Sequence, residues 1–211
     1  LDKPTAGTLT VAGTDVATLD RKASAEFRGR SLGFIFQDFN LLPVLTVYEN
    51  IEYPLLMVQK VAPAERRKRV TALLAAVGMA DQGDKTPDKI SGGQKQRVAV
   101  ARALVTQPRL VLADEPTASL DTERAYQVVE TFAGLIHEQK RAGIMVTHDL
   151  RMCKYVDRVI QMVDGHISRE ITDRATILQL AGAADEMDGG VLHSDDGKVE
   201  EAGEPAVVYG I

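Results

Sequence analysis

The chain has 211 residues, 45% of them hydrophobic and 26% charged, which suits one globular domain with or without a tail. No stretch approaches the roughly 20 apolar residues of a membrane span, and nothing at the start reads as a secretory signal. The net charge of −5 sits mostly in residues 181–211, where eight acids face Lys198 alone. The rest of the chain is close to neutral and gives no electrostatic case for nucleic acid as a partner.

A lone cysteine, Cys153, excludes an internal disulfide and suits a reducing cytoplasm, where it reads as a small buried apolar residue. Leu1 is not an initiator Met, so the expectation is that the chain begins inside a longer gene product.

Residues 8–12 read as a strand between turn glycines Gly7 and Gly13, and residues 20–28 have polar, helical spacing. A short apolar run over 31–36 predicts a strand that delivers Gln37 to its end, before a loop broken by Pro43. Thr46 and Glu49 form a capping box that opens a helix over about 46–58. Pro63 opens another, with Val70, Leu73, Leu74 and Val77 on one face. After a loop, Ser91 starts a helix running to about 105.

Leu110 to Ala113 is continuously apolar, as in a central parallel strand covered on both faces, and it ends in Asp114-Glu115. A helix is expected over 121–140 and a second buried strand at 144–146, leading to His148. Asp164-Gly165 between apolar runs signals a hairpin. Beyond about 172 the sequence offers one short helix and then an acidic, Gly-rich tail with little core-forming capacity.

Three blocks carry chemistry. Ser91-Gly92-Gly93-Gln94 begins a helix, where unpaired N–H groups and the dipole favour an anion and the glycines allow close approach. The same four residues also form an ordinary capping box. Asp114 and Glu115 at a buried strand's end can hold Mg²⁺ through water and orient or deprotonate a water. They also fit a plain acidic helix start. His148 and Gln37 lie at two further strand ends, where open α/β sheets place ligands; a structural His or a lone surface Gln is the plainer alternative. Asp121 caps the helix after it, a role compatible with ligand contact. Together the acids, the glycine-led helix tip and the imidazole are expected to converge on a nucleotide's terminal phosphoryl group. Arg66-Arg67-Lys68-Arg69 reads as a solvated helix face.

These residues resemble the nucleotide-binding subunit of ATP-binding-cassette (ABC) transporters. Ile90 to Arg97 is similar to the family signature, Leu110 to Glu115 to the Walker B strand, Ser119-Leu120-Asp121 to the D-loop, Gln37 to the Q-loop residue and His148 to the switch histidine. The order and spacing agree: 54 residues from Gln37 to Ser91, 23 from Ser91 to Asp114 and 34 from Asp114 to His148. Residues 39–50 are similar to the lipoprotein-release and macrolide-export branch. The resemblance covers about 1–170. It implies an α/β fold with a P-loop NTPase-type parallel sheet, a helical signature subdomain over about 44–105 and a small antiparallel N-terminal part. The ATPase domain would then fill 1–171 and an acidic tail 172–211.

The resemblance further implies ATP and Mg²⁺ as cofactors, with Asp114 and Gln37 at the metal, Glu115 as general base and His148 on the γ-phosphate. Gln37, Ser91, Gly92, Gly93, Gln94 and Asp121 would contact nucleotide. The implied partners are a transmembrane permease and a second ATPase subunit, at the cytoplasmic face of the membrane. One departure is large: no Gly-x-x-x-x-Gly-Lys-Ser/Thr occurs, and Gly197-Lys198 is followed by Val199. The first central strand and its phosphate loop are therefore missing, an apolar gap is expected in the sheet, and this chain alone is expected to be inactive. A P-loop-less regulatory subunit and a non-transport ABC ATPase are the alternatives.

Overall fold

The computed structural model describes residues 3–189 and 206–210. A two-stranded ribbon comes first, β1 (Thr10–Val11) and β2 (Thr14–Asp15), closed by a turn in which Ala12 and Gly13 both take positive φ. Asp20 caps α1 (Arg21–Ser31), which leads into β3 (Leu32–Ile35). Strands β3, β4 (Leu110–Asp114) and β5 (Ala142–Thr147) run parallel, as their unbroken apolar sequences require.

A helical layer joins β3 to β4. The capping box at Thr46 starts α2 (Val47–Pro54), which continues as a π-helical turn over Leu55–Gln59 and stops at Lys60 in the left-handed region. Helix α3 (Pro63–Ala76) and helix α4 (Gly92–Leu104) follow, packed through Val70, Leu74, Val98 and Leu104. Helix α5 (Thr122–Glu138) covers the sheet with Val128, Val129, Phe132 and Ile136, all buried at helical spacing. Cys153 is buried and reduced, in a 3₁₀ turn over Leu150–Tyr155.

Two findings differ from the sequence reading. The expected hairpin forms, β6 (Arg158–Val163) with β7 (His166–Ile171), but the segment beyond it is not simply a tail. Helix α6 (Arg174–Gly189) is long and buries Ile177 and Ala181 against the core. Tyr126 on α5 donates its hydroxyl to Asp185 of α6, and Lys154 Nζ lies 3.7 Å above the Tyr126 ring. Burial, then this carboxylate, push the Tyr126 phenol up to about 12.

The expected gap in the sheet is also closed. Strand β8 (Ala206–Gly210) lies between β5 and β6, antiparallel to both, in the order β3-β4-β5-β8-β6-β7. Its backbone supplies the partner groups that β5 and β6 would otherwise lack. Met145 and Val159, on the two strands flanking it, are buried rather than exposed.

Candidate functional site

The parallel strands set the site by ending level with one another. Ile35 pairs with Ala113 and Asp114 with Val146, so Gln37, Asp114-Glu115 and His148 leave three adjacent strands at one edge. Neighbouring strands lie about 4.8 Å apart, so three ends span roughly 10 Å. There the Nδ1 of His148 lies 3.0 Å from Glu115 Oε1. The second oxygen, Glu115 Oε2, is buried and has no hydrogen-bond partner. A buried acceptor in that condition needs an explanation, and a water or ligand donor supplies it.

Glu115 adopts φ +44, a left-handed conformation that a glutamate takes at a cost on the order of 1–2 kcal/mol. The surroundings impose it. Glu115 N–H donates to Val146 O at 2.9 Å, and its carbonyl accepts from Ala118 N–H. The turn aims the carboxylate across β4 towards β5 and His148. Asp114 is exposed, so the burial cost expected for both acids applies only to Glu115.

Gln37 is exposed at the start of a loop held from two sides. Its carbonyl accepts from Ser119 Oγ at 3.4 Å. Phe39 and Asn40 both take positive φ, and Arg102 of α4 donates to both carbonyls. Burial lowers the Arg102 pKa. Farther along, the fully buried Asn50 accepts from Leu42 N–H at 2.7 Å and donates to the carbonyls of Leu42, Leu45 and Thr46. Asn50 and Arg102 were missed from sequence. The available signal was a polar residue beside Val47 and Ile51 on the apolar face of α2.

The glycine-led tip of α4 faces elsewhere. Both halves of its capping box form: Ser91 Oγ accepts from Gln94 N–H and Gln94 Oε1 accepts from Ser91 N–H. The first N–H groups, on Gly92 and Gly93, have no partner within the helix. Gly93 borders a cleft of about 220 Å³ with Arg97, Arg124 and Gln127. Asp114, Glu115 and His148 do not line it. The expected convergence of all these groups within one chain is therefore corrected. Leu120 packs at 3.6 Å from where a Gly92 Cβ would stand, so the Ser119–Asp121 turn separates the two regions.

Asp121 caps α5 through Arg124 N–H and also pairs with the Arg124 guanidinium at 2.8 Å. Arg124 is a third residue that sequence reasoning missed here. A cation in the first turn of a helix opposes the dipole, which was the readable sign. Its stem lies 3.2 Å from an added Gly93 Cβ, so a side chain there would have to push the arginine aside.

Among the described residues, no three His, Cys, Asp or Glu side chains gather as a metal cage. One exposed carboxylate beside one with a free buried oxygen suits Mg²⁺, which keeps several waters and takes one or two carboxylates plus phosphates. Asp114 and Gln37, at neighbouring strand ends, are the residues that would hold it.

Comparison with known proteins decides the family. The ABC transporter family matches residues 1–118. The uncharacterized ABC transporter ATP-binding protein YvrO of Bacillus subtilis is 47% identical over 167 residues, covering 79% of this chain and 72% of that protein. This chain belongs to the ABC transporter family. The macrolide export ATP-binding/permease protein MacB of Brucella melitensis is 42% identical over 82% of this chain, which spans only 27% of MacB. Among solved structures, the dimeric post-hydrolysis state of the cassette MJ0796 bound to ADP and Pi is similar with TM-score 0.71 and 36% identity, over 81% of this chain and 75% of that one. The cassette cbiO1 of Clostridium perfringens, part of the complex cbiONQ, gives 0.76 and 27% over 89% and 78%. The chain is thus an ATP-binding subunit of the ABC type, with that family's α/β fold and parallel sheet. No described helix is long and apolar enough to cross a membrane.

Proposed function

We propose that this chain provides the catalytic base, switch histidine and signature face of an ATP hydrolase that drives a membrane permease from the cytoplasmic side. The observation that carries this is the 3.0 Å contact between His148 Nδ1 and Glu115 Oε1, on a carboxylate whose other oxygen is buried and unpartnered. In this reading Glu115 takes a proton from the attacking water, His148 orients the carboxylate and meets the terminal phosphate, and Asp114 and Gln37 serve Mg²⁺. Bound Mg²⁺ would neutralise the phosphate charge.

The Ser91–Gln94 tip opens into its own cleft, which suits contact with nucleotide held by a second subunit. The dimeric MJ0796 structure accords with that pairing. For the permease, the surface around the Gln37 loop is suited. A groove of about 510 Å³ lies between β3 and α2, lined by Phe34, Phe36 and Val58. Leu56, Met57 and Val44 are exposed beside it, Val44 at 84%. Apolar side chains clustered on a surface mark an interaction site. Export fits the name of the MacB relative.

The test is ATP turnover. The chain alone is expected to stay at background, because no phosphate loop supplies the charge-assisted contacts that hold a triphosphate. A form of the chain extended at Leu1 with a family P-loop segment is expected to hydrolyse ATP and to lose 10²–10⁴-fold in rate on Glu115→Gln, with ATP binding retained. Full turnover in that variant would refute the assignment of Glu115.

A further inference from the structure

We propose that the cleft beneath the β1–β2 ribbon binds an amphipathic carboxylate, an apolar body with one anionic head. The cleft has a volume of about 590 Å³ and lies at the strand ends opposite the nucleotide edge. Its walls are apolar, with Leu9, Val11 and Ile144 among them, and Leu9 is exposed. Three cations line it, Arg109, Lys140 and Arg141, and no carboxylate does. Small-molecule sites have this size and this make-up, mostly apolar with a few polar groups that fix one orientation.

Arg141 supplies the second observation. Its Nε is buried and has no hydrogen-bond partner. Arginines near a helix C-terminus commonly turn onto the last carbonyls, but this donor is not used in that way. A buried N–H left without an acceptor calls for one, and a carboxylate matches the planar guanidinium fork. Arg141 also lines a second cleft, on the side of α3, whose lining mixes the carboxylates Glu65 and Glu138 with Lys68 and Arg69, whereas no carboxylate lines the ribbon-side cleft. The anion therefore belongs on the ribbon side. This site goes beyond the nucleotide reading and does not depend on it.

Decanoate tests the proposal on the chain as it stands, by calorimetry and by backbone NMR shifts. Saturable one-site binding is expected, with shifts concentrated at residues 9–12, 109–110 and 140–144. Decanol, lacking the head charge, is expected to bind at least tenfold more weakly. Arg141→Gln and the exposed Arg109→Gln should each weaken decanoate at least fivefold, while Lys68→Gln, in the second cleft, leaves it unchanged. Arg109→Gln keeps the test decisive if Arg141→Gln fails to fold. The proposal is overturned by any of three results: no saturable binding, equal affinity for decanol, or decanoate affinity unaffected in a folded arginine variant.

Discussion

Deleting residues 206–211 is expected to lower the thermal midpoint by 10 °C or more and to release the β6–β7 hairpin. Strand β8 pairs four residues with β5 and five with β6, and it is the element through which the hairpin joins the parallel strands. Each backbone hydrogen bond has a net worth of about 0.5–1.5 kcal/mol. Losing a handful removes several kcal/mol from a total stability on the order of 5–15. At about 2–4 °C per kcal/mol for a chain of this size, the shift exceeds 10 °C. The deletion also bares two interior edges, so aggregation should accompany it. Differential scanning fluorimetry with hydrogen exchange checks this: amides at 144–147 should lose protection. An unchanged midpoint with those amides still protected would show that β8 does not hold the sheet together.

Asn50→Ala is expected to destabilise by about 3 kcal/mol or more. The side chain is fully buried and satisfies one N–H and three carbonyls of the 42–46 segment. Removing it leaves the Leu42 N–H and the Leu45 carbonyl without this partner and opens a cavity, while the carbonyls of Leu42 and Thr46 keep the backbone donors Leu45 and Asn50. Each lost partner costs about 1–3 kcal/mol where water cannot reach. Thr46→Ala, which removes only the cap of the same helix, should cost about 1 kcal/mol. Urea unfolding of both variants separates the two. A loss for Asn50→Ala no larger than for Thr46→Ala would mean that the loop holds itself. Because this segment follows Gln37, Asn50→Ala should also reduce turnover in the form of the chain extended with a P-loop segment.

The parts legible from sequence were those fixed locally. The capping boxes at Thr46 and Ser91 are complete as read, because their hydrogen bonds span three residues. The apolar run from Leu110 could only be a covered strand, and its end placed Asp114 and Glu115. Gln37 and His148 followed in the same way, each just past an apolar strand.

What stayed hidden depends on long-range pairing. Ala206–Gly210 reads as part of an acidic tail until β5 and β6 present two unpaired edges to it. Helix α6 looked short because Gly182 and the acids from Asp185 onward interrupt its apolar positions, and packing of Ile177 and Ala181 supports it. The separation of the signature tip from the acids also escaped the sequence. Order along the chain reveals nothing of Leu120 standing between them. The left-handed backbone of Glu115 was equally unreadable, since no glycine or asparagine announces it.

The central claim is that Glu115 and His148 act as one unit on the terminal phosphate. Its most direct measurement is a double-mutant cycle on single-turnover ATP hydrolysis by the form of the chain extended with a P-loop segment, using Glu115→Gln, His148→Ala and the pair. Groups in 3.0 Å contact that share one step should be strongly non-additive, so the double variant should be no slower than Glu115→Gln alone. A double variant slowed by the full product of the two single effects would show independent roles and contradict the account.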